Sequence, residues 1–299
     1  MMESGWLWAV FTVLAAAAQT ARNAMQRELT GSLGTVGATH VRFLFGFPFA
    51  LLALGVVQLI TDHPLPRPGL VFWPWVLLGA LTQIFATGLM LAAMGERSFV
   101  VTIAYTKTEP VQVALFGIVF LSERVTPALA LAIMIATGGV MLMSWKPGAA
   151  SASGVRPALL GITSGALFAL SAIGYRGAIR SLEDTSFFMA SSFTLAIALV
   201  FQAVLLSLYL AVRERTVLMA IARAWRPSLF AGFMGALASE FWFLGFALAS
   251  AASVRTLALI EVLFAQGVSL FVFGQLPSLR EVAGIVLVVL GVALLLWSS

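Results

Sequence analysis

The sequence lacks cysteine altogether and contains only two histidines, His40 and His63. Disulfides and thiolate metal sites are therefore excluded, and neither a His-Glu-x-x-His motif nor a phosphate-binding loop is present. The chain also offers little from which to build the nucleophile and base that an enzyme would need. We therefore predict that it is not an enzyme and that it binds no cofactor and no metal.

Charged residues are scarce as well, at 10% of the chain, whereas 61% of residues are hydrophobic. Soluble proteins carry about 25% charged and about 45 to 50% apolar residues. The apolar residues occur in runs of the length that crosses a bilayer, about 20 residues. These features predict an all-α integral membrane protein whose partner is the lipid bilayer. The net charge of +5 comes from scattered basic residues without a binding motif, which argues against nucleic acid as a partner.

Hydropathy over windows of about 19 residues predicts ten transmembrane helices. The connectors between them are rich in proline, glycine or charge. The first span lacks the positive region of a signal peptide, so we interpret it as uncleaved. The predicted spans are 5–27, 33–59, 70–95, 98–121, 126–145, 157–181, 184–211, 227–250, 252–274 and 278–297.

The second half of the chain repeats the first. A shift of 152 residues places Glu109 on Glu261 and Gly139 on Gly291, and a shift of about 154 places Arg22 on Arg176. We predict two domains of five spans each, residues 1–147 and 154–299. Because five is odd, the second copy enters the membrane from the opposite side. Inverted repeats of this kind recur in secondary transporters, where two similar halves provide two states that open to opposite sides.

Two segments carry a family resemblance. Residues 104–142 read AYTKTEPVQVALFGIVFLSERVTPALALAIMIATGGVML, in which a proline-containing fourth span ends in a Leu-x-Glu-Arg turn before a glycine-containing fifth span. The second half repeats the pattern with Val262 in place of the proline and with Gln275 and Leu276 in place of the Glu-Arg pair. Together with Arg42 in the second span, this pattern resembles the EamA type of the drug/metabolite transporter superfamily.

This resemblance implies a 4+1 arrangement of each repeat, with a central cavity lined by the first, third and fourth spans of each half. It also implies export of amino acids or related metabolites, and one branch of the family exports aromatic amino acids. The expected location is a bacterial-type inner membrane with both termini cytoplasmic. Most connector arginines would then lie outside, opposite to the positive-inside rule, so the orientation stays open. The oligomeric state is also open, and a monomer is plausible.

Four charged residues are predicted deep in the membrane: Lys107, Glu109, Glu240 and Glu261. Charges there are costly and normally face a partner or water. One hypothesis is that a glutamate titrates, or binds a substrate ammonium group, as the cavity changes sides. The alternative is that Lys107, Arg42 or backbone groups neutralise these glutamates structurally. Pro110 disfavours helical geometry at Glu109, which predicts a helix break in mid-membrane.

Three arginines lie near the ends of their spans: Arg22, Arg176 and Arg255. Their long side chains can reach the headgroups, so we predict that they anchor the helices. The alternative role is to bind a substrate carboxylate.

Polar and aromatic residues on the expected cavity helices form the candidate substrate site. A pocket of this kind suits a small amphipathic solute such as an aromatic or large neutral amino acid, whereas interfacial anchoring or helix packing is the alternative. A sugar-phosphate or nucleotide-sugar carrier is the second choice among transporters, and a receptor or scaffold is a further one. An anion carrier would need several deep basic residues, of which only Lys107 is securely placed. The candidates are Gln19, Asn23, Gln83, Thr87, Thr102, Tyr105, Ser171, Tyr175, Ser239 and Trp242.

Overall fold

A computed structural model describes residues 6–62, 64–96, 105–144, 156–271 and 276–298. Within these ranges every regular element is a helix, as the sequence predicts. The helices are α1 Leu7–Leu44, α2 Phe47–Thr61, α3 Phe72–Glu96, α4 Glu109–Leu121, α5 Pro127–Ser144, α6 Arg156–Arg180, α7 Phe187–Arg213, α8 Arg215–Arg223, α9 Trp225–Leu248, α10 Ala251–Leu257, α11 Glu261–Phe271 and α12 Leu279–Trp297, with a 3₁₀ turn at Ala258–Ile260.

Seven helical stretches in the described ranges are long and apolar enough to cross a membrane, and the first of them, Leu7–Thr61, contains two predicted spans. The two are separated at Gly34, whose φ of 67° is a conformation that only glycine adopts without strain. The chain turns back there, as a hydrogen bond across the turn shows. Gln26 Nε2 donates to the carbonyl of Ala38 at 2.9 Å. In a continuous helix those residues would be about 18 Å apart.

The fourth and ninth predicted spans are interrupted near their middles. A turn at 107–108 precedes α4, which begins at Glu109 with Pro110 in its first turn. The predicted break is therefore confirmed. In the second half α10 passes through the 3₁₀ turn and α11 begins at Glu261, so the repeat-related glutamate also starts a helix, here without a proline.

The segment between the seventh and eighth spans forms the short helix α8. Its apolar Ile221 is buried while Arg215 and Arg223 are exposed. This amphipathic pattern suits a helix lying along a membrane surface.

The helix packing reflects the duplication. The first span packs on α9 and the third on α6, which are equivalent pairs when the halves exchange places. Helices α5 and α12 meet through matching glycines. A Cβ added at Gly139 would lie 2.7 Å from the Gly284 carbonyl oxygen, and a Cβ added at Gly291 would lie 2.7 Å from the Ala136 nitrogen. Small residues allow this close approach of membrane helices.

Candidate functional site

Two buried ion pairs lie where the two halves meet. Lys107 Nζ is 2.7 Å from Glu261 Oε2, and Arg255 Nε is 3.0 Å from Glu109 Oε1. The second pair is in ionic contact without hydrogen-bond alignment. Each pair joins the first repeat to the second, and all four side chains are less than 10% exposed. Lys107 and Glu109 face different partners, as expected for positions two residues apart on a helix.

The helix breaks explain why these charges are tolerated. Glu109 and Glu261 are the first residues of α4 and α11, where the positive end of the helix dipole stabilises a carboxylate. Arg255 lies in the last turn of α10, where the negative end stabilises a cation. The interrupted spans therefore bring helix ends of both signs into the membrane interior.

Two predicted cavity residues extend this cluster. Gln19 Nε2 donates to Glu261 Oε2 at 3.0 Å, and Trp242 Nε1 donates to Gln19 Oε1 at 3.1 Å. The Arg255 guanidinium lies 4.4 Å from the centre of the Trp242 ring, a distance that gives a cation–π contact. The cluster therefore has an aromatic wall next to its charges.

Arg22 is also part of this cluster. It is 1% exposed, so the prediction that it reaches the headgroups is wrong. Its Nη2 and Nε atoms donate to Asn23 Oδ1 at 2.7 and 3.2 Å, while Nη1 has no hydrogen-bond partner within the described ranges. Asn23 thus holds the guanidinium from one side and leaves the other side available.

All of these residues except Trp242 line a small central pocket of about 20 Å³. That volume holds about one water molecule, so the pocket is too small for a solute in this conformation. Its charged lining in the described part of the chain is three cations, Arg22, Lys107 and Arg255, and two carboxylates, Glu109 and Glu261. With these groups ionised, the pocket carries one surplus positive charge. A buried unpaired charge is costly, and a ligand of opposite sign removes that cost.

A second polar network lies on α3, α6 and α7. The Tyr175 hydroxyl donates to Gln83 Oε1 at 2.9 Å, and Gln202 Nε2 donates to the same oxygen at 3.0 Å. Next to it, Arg42 donates to Thr87 and Ser239 at 3.3 Å each. Of the predicted cavity residues, Gln83 and Tyr175 are bonded to each other, and Thr87 and Ser239 accept from Arg42. Within the described ranges Arg42 forms no ion pair with a buried glutamate, contrary to one hypothesis.

Tyr105, Ser171 and Glu240 do not line the central pocket. Ser171 is buried on α6, and Tyr105 packs its Cβ against Gly161. Thr102 lies outside the described residues. Glu240 accepts a hydrogen bond from the Ser192 hydroxyl, and no cation of the described ranges lies within ion-pair distance.

Arg176, the repeat counterpart of Arg22, has a different role. It forms an ion pair with Glu123 and donates to the carbonyls of Phe246 and Ala249. Its side chain thereby ties the ends of α4, α6 and α9 together, so the prediction that it reaches the headgroups is also wrong. The turn at Glu123 provides the carboxylate of this contact.

Arg255 is a further functional residue that sequence reasoning placed wrongly. It lies five residues into α10, counting Ala251 as the first, which suggests a headgroup anchor. The signal that could have corrected this was the repeat: Glu261 corresponds to Glu109 at the first break, so a matching break had to follow Arg255.

Comparison with known proteins agrees with the architecture. No curated protein matches the chain significantly. A solved crystal structure has a TM-score of 0.72 at 15% identity, with 99% of each chain covered, which establishes a shared fold. The model of the EamA-like transporter family matches residues 4–145 and 155–297. The chain is therefore a member of the EamA-like transporter family, a multi-pass membrane transporter of small solutes built from two inverted five-helix repeats.

Proposed function

We propose that this transporter moves amino acids, in particular aromatic or large neutral ones, across the membrane by alternating access, in the direction of export. The observation that carries the proposal is the central pocket, which combines Arg22 Nη1, without a hydrogen-bond partner in the described ranges, with two carboxylates and the Phe168 ring, and which lies beside Trp242. An amino acid presents a carboxylate, an ammonium group and a side chain, and each has a complementary group here.

In this proposal the substrate carboxylate binds Arg22 Nη1, because a guanidinium recognises carboxylates through aligned donors. The ammonium group binds Glu261 in competition with Lys107. Both ion pairs link the repeats, so a substrate that replaces part of them lowers the cost of moving one repeat against the other. Substrate binding thus favours the change of access.

The surplus positive charge of the pocket also supports a second candidate, an organic-anion carrier of the sugar-phosphate or nucleotide-sugar type. Sequence reasoning placed only Lys107 securely at depth, whereas Arg22, Arg42 and Arg255 are each 8% exposed or less. Anions need such counter-charges in a medium of low dielectric. The carboxylates Glu109 and Glu261 in the same pocket favour the zwitterion over a multiply charged anion.

We further propose that Glu240 couples transport to protons. Its carboxylate bonds to the Ser192 hydroxyl rather than to a cation, so protonation would break no ion pair within the described ranges. Residues 1–147 and 154–299 would act as the two moving halves, in a bacterial-type inner membrane with cytoplasmic termini.

The test is uptake into proteoliposomes of labelled phenylalanine, leucine, glutamate and a hexose phosphate, with and without a pH gradient. The proposal predicts saturable uptake of the neutral amino acids that responds to the gradient and loses this response in Glu240→Gln. The matched control is the exposed Glu183→Gln, which should behave as the native chain. Uptake of the hexose phosphate alone would establish the second candidate instead, and a gradient response kept by Glu240→Gln would refute the coupling role.

A further inference from the structure

An apolar groove of about 660 Å³ lies on the outer surface of the helices, away from the central pocket. Its walls include Thr35 and Thr39 at the start of the second span, Leu81 and Phe85 of α3, and Leu205 of α7. Phe85 is 62% exposed, so the groove opens sideways from membrane-spanning helices. In a bilayer such an opening is filled by acyl chains.

The groove continues into a more polar pocket of about 360 Å³, lined in part by Arg27, Thr30 and Gly34. Thr35 lines both cavities, so they adjoin at the end of the membrane where Gly34 turns the chain. Arg27 is exposed there. Its neighbour Glu28 is exposed too, but consecutive residues of a helix face different directions, and Glu28 does not line the pocket.

The combined length fits one leaflet. Helix α3 lines the apolar groove from Leu81 and the polar pocket as far as Gly95, a rise of about 21 Å at about 1.5 Å per residue. Half of a hydrocarbon core of about 30 Å, plus a headgroup layer, has similar length. A further exposed arginine, Arg213, lies at the same end on α7, and arginines near the membrane surface attract anionic lipids.

We propose that the groove and the adjoining pocket form a binding site for one anionic phospholipid. An acyl chain lies between α3 and α7, and the phosphate lies at Arg27. The groove is built from α1 and α3 of the first repeat and from α6 and α7 of the second. A lipid held there contacts both moving halves and therefore stabilises the closed arrangement, because a ligand stabilises the state that it binds.

The site can be blocked without disturbing the fold. A Cβ at Gly88 would meet only Thr39 Oγ1, at 4.0 Å, so Gly88→Leu fills the groove without a backbone clash. The matched control is Gly138→Leu on α5, since Gly138 is exposed and nothing lies within 4 Å of its added Cβ. Arg27→Gln removes the cation that lies at the proposed headgroup position.

The experiment is native mass spectrometry of the full chain, titrated with phosphatidylglycerol or phosphatidylcholine of the same acyl composition. Native protein and Gly138→Leu should retain one phosphatidylglycerol with at least a fivefold preference over phosphatidylcholine. Arg27→Gln should lose the preference, and Gly88→Leu should lose the retained lipid. Equal retention of both lipids by native protein, or unchanged retention of phosphatidylglycerol by Gly88→Leu, would overturn the proposal.

Discussion

Two arginines at matching positions of the repeats have opposite environments. Arg176 is paired with Glu123 and with the carbonyls of Phe246 and Ala249. Arg22 bonds only to its neighbour Asn23 among the hydrogen bonds of the described residues, and its Nη1 has no partner there. One arginine of the pair therefore serves the fold, while the other has a nitrogen that our proposal assigns to the substrate carboxylate.

The difference shows how a duplicated unit acquires a function. The inverted repeat supplies two equivalent frameworks, but the charges that complete them differ between the halves. Glu109 and Glu261 are related by the repeat, whereas the counterparts of Lys107 and Arg255 are Leu259 and Ile103 under the same shift. The framework is symmetric and the chemistry of the pocket is not.

The largest effect is expected from Arg176→Gln. Loss of the cation leaves the Glu123 carboxylate and two carbonyls without their donor, and breaking a buried pair on one side costs about 3 to 5 kcal/mol. The free energy of unfolding in detergent should fall by an amount at the upper end of that range. A fall below about 1 kcal/mol would contradict the structural role, and the exposed Arg180→Gln is the control.

A smaller loss is expected when the central pair is broken. Lys107→Met leaves Glu261 with Gln19 as its remaining hydrogen-bond partner in the described ranges. The free energy of unfolding should therefore fall by about 3 kcal/mol. Adding Glu261→Gln removes the stranded charge and should restore most of the stability. The double-mutant cycle measures this coupling, and additive effects of the two changes would contradict the pairing.

The smallest effect on stability is expected from Arg22→Gln. Removing a surplus buried cation relieves its desolvation cost, which offsets the lost bonds to Asn23. The free energy of unfolding should stay within about 1 kcal/mol of native, measured beside Arg176→Gln in the same detergent. Equal losses for the two variants would show that Arg22 and Arg176 play the same structural role.

Most of the fold could be predicted from the sequence, because membrane helices need long apolar runs and the repeat fixes their arrangement. The break at Glu109 followed from Pro110. The chain turns sharply at Gly34, at the start of the predicted span 33–59. The element α1, Leu7–Leu44, therefore includes helix on both sides of this kink.

The site was only partly predictable. Gln19, Asn23, Lys107, Glu109 and Trp242 were singled out as polar or aromatic groups at depth, and the structure brings them together. Distance from a span end misled the interpretation of Arg22 and Arg255, because depth also depends on where helices break and turn. Pairing partners cannot be found from one helix alone, since both central ion pairs form between the repeats.

The central claim is that Arg22 receives the substrate carboxylate. It is tested by uptake of phenylalanine and of phenylalaninamide into proteoliposomes of the native chain, Arg22→Gln and the control Arg180→Gln. A hydrogen bond to a charged group contributes about 1.5 to 3 kcal/mol, so kcat/KM for phenylalanine should fall by about 10- to 100-fold in Arg22→Gln alone, and the amide should be a poor substrate throughout. A kcat/KM for phenylalanine in Arg22→Gln equal to that of the native chain would contradict the claim.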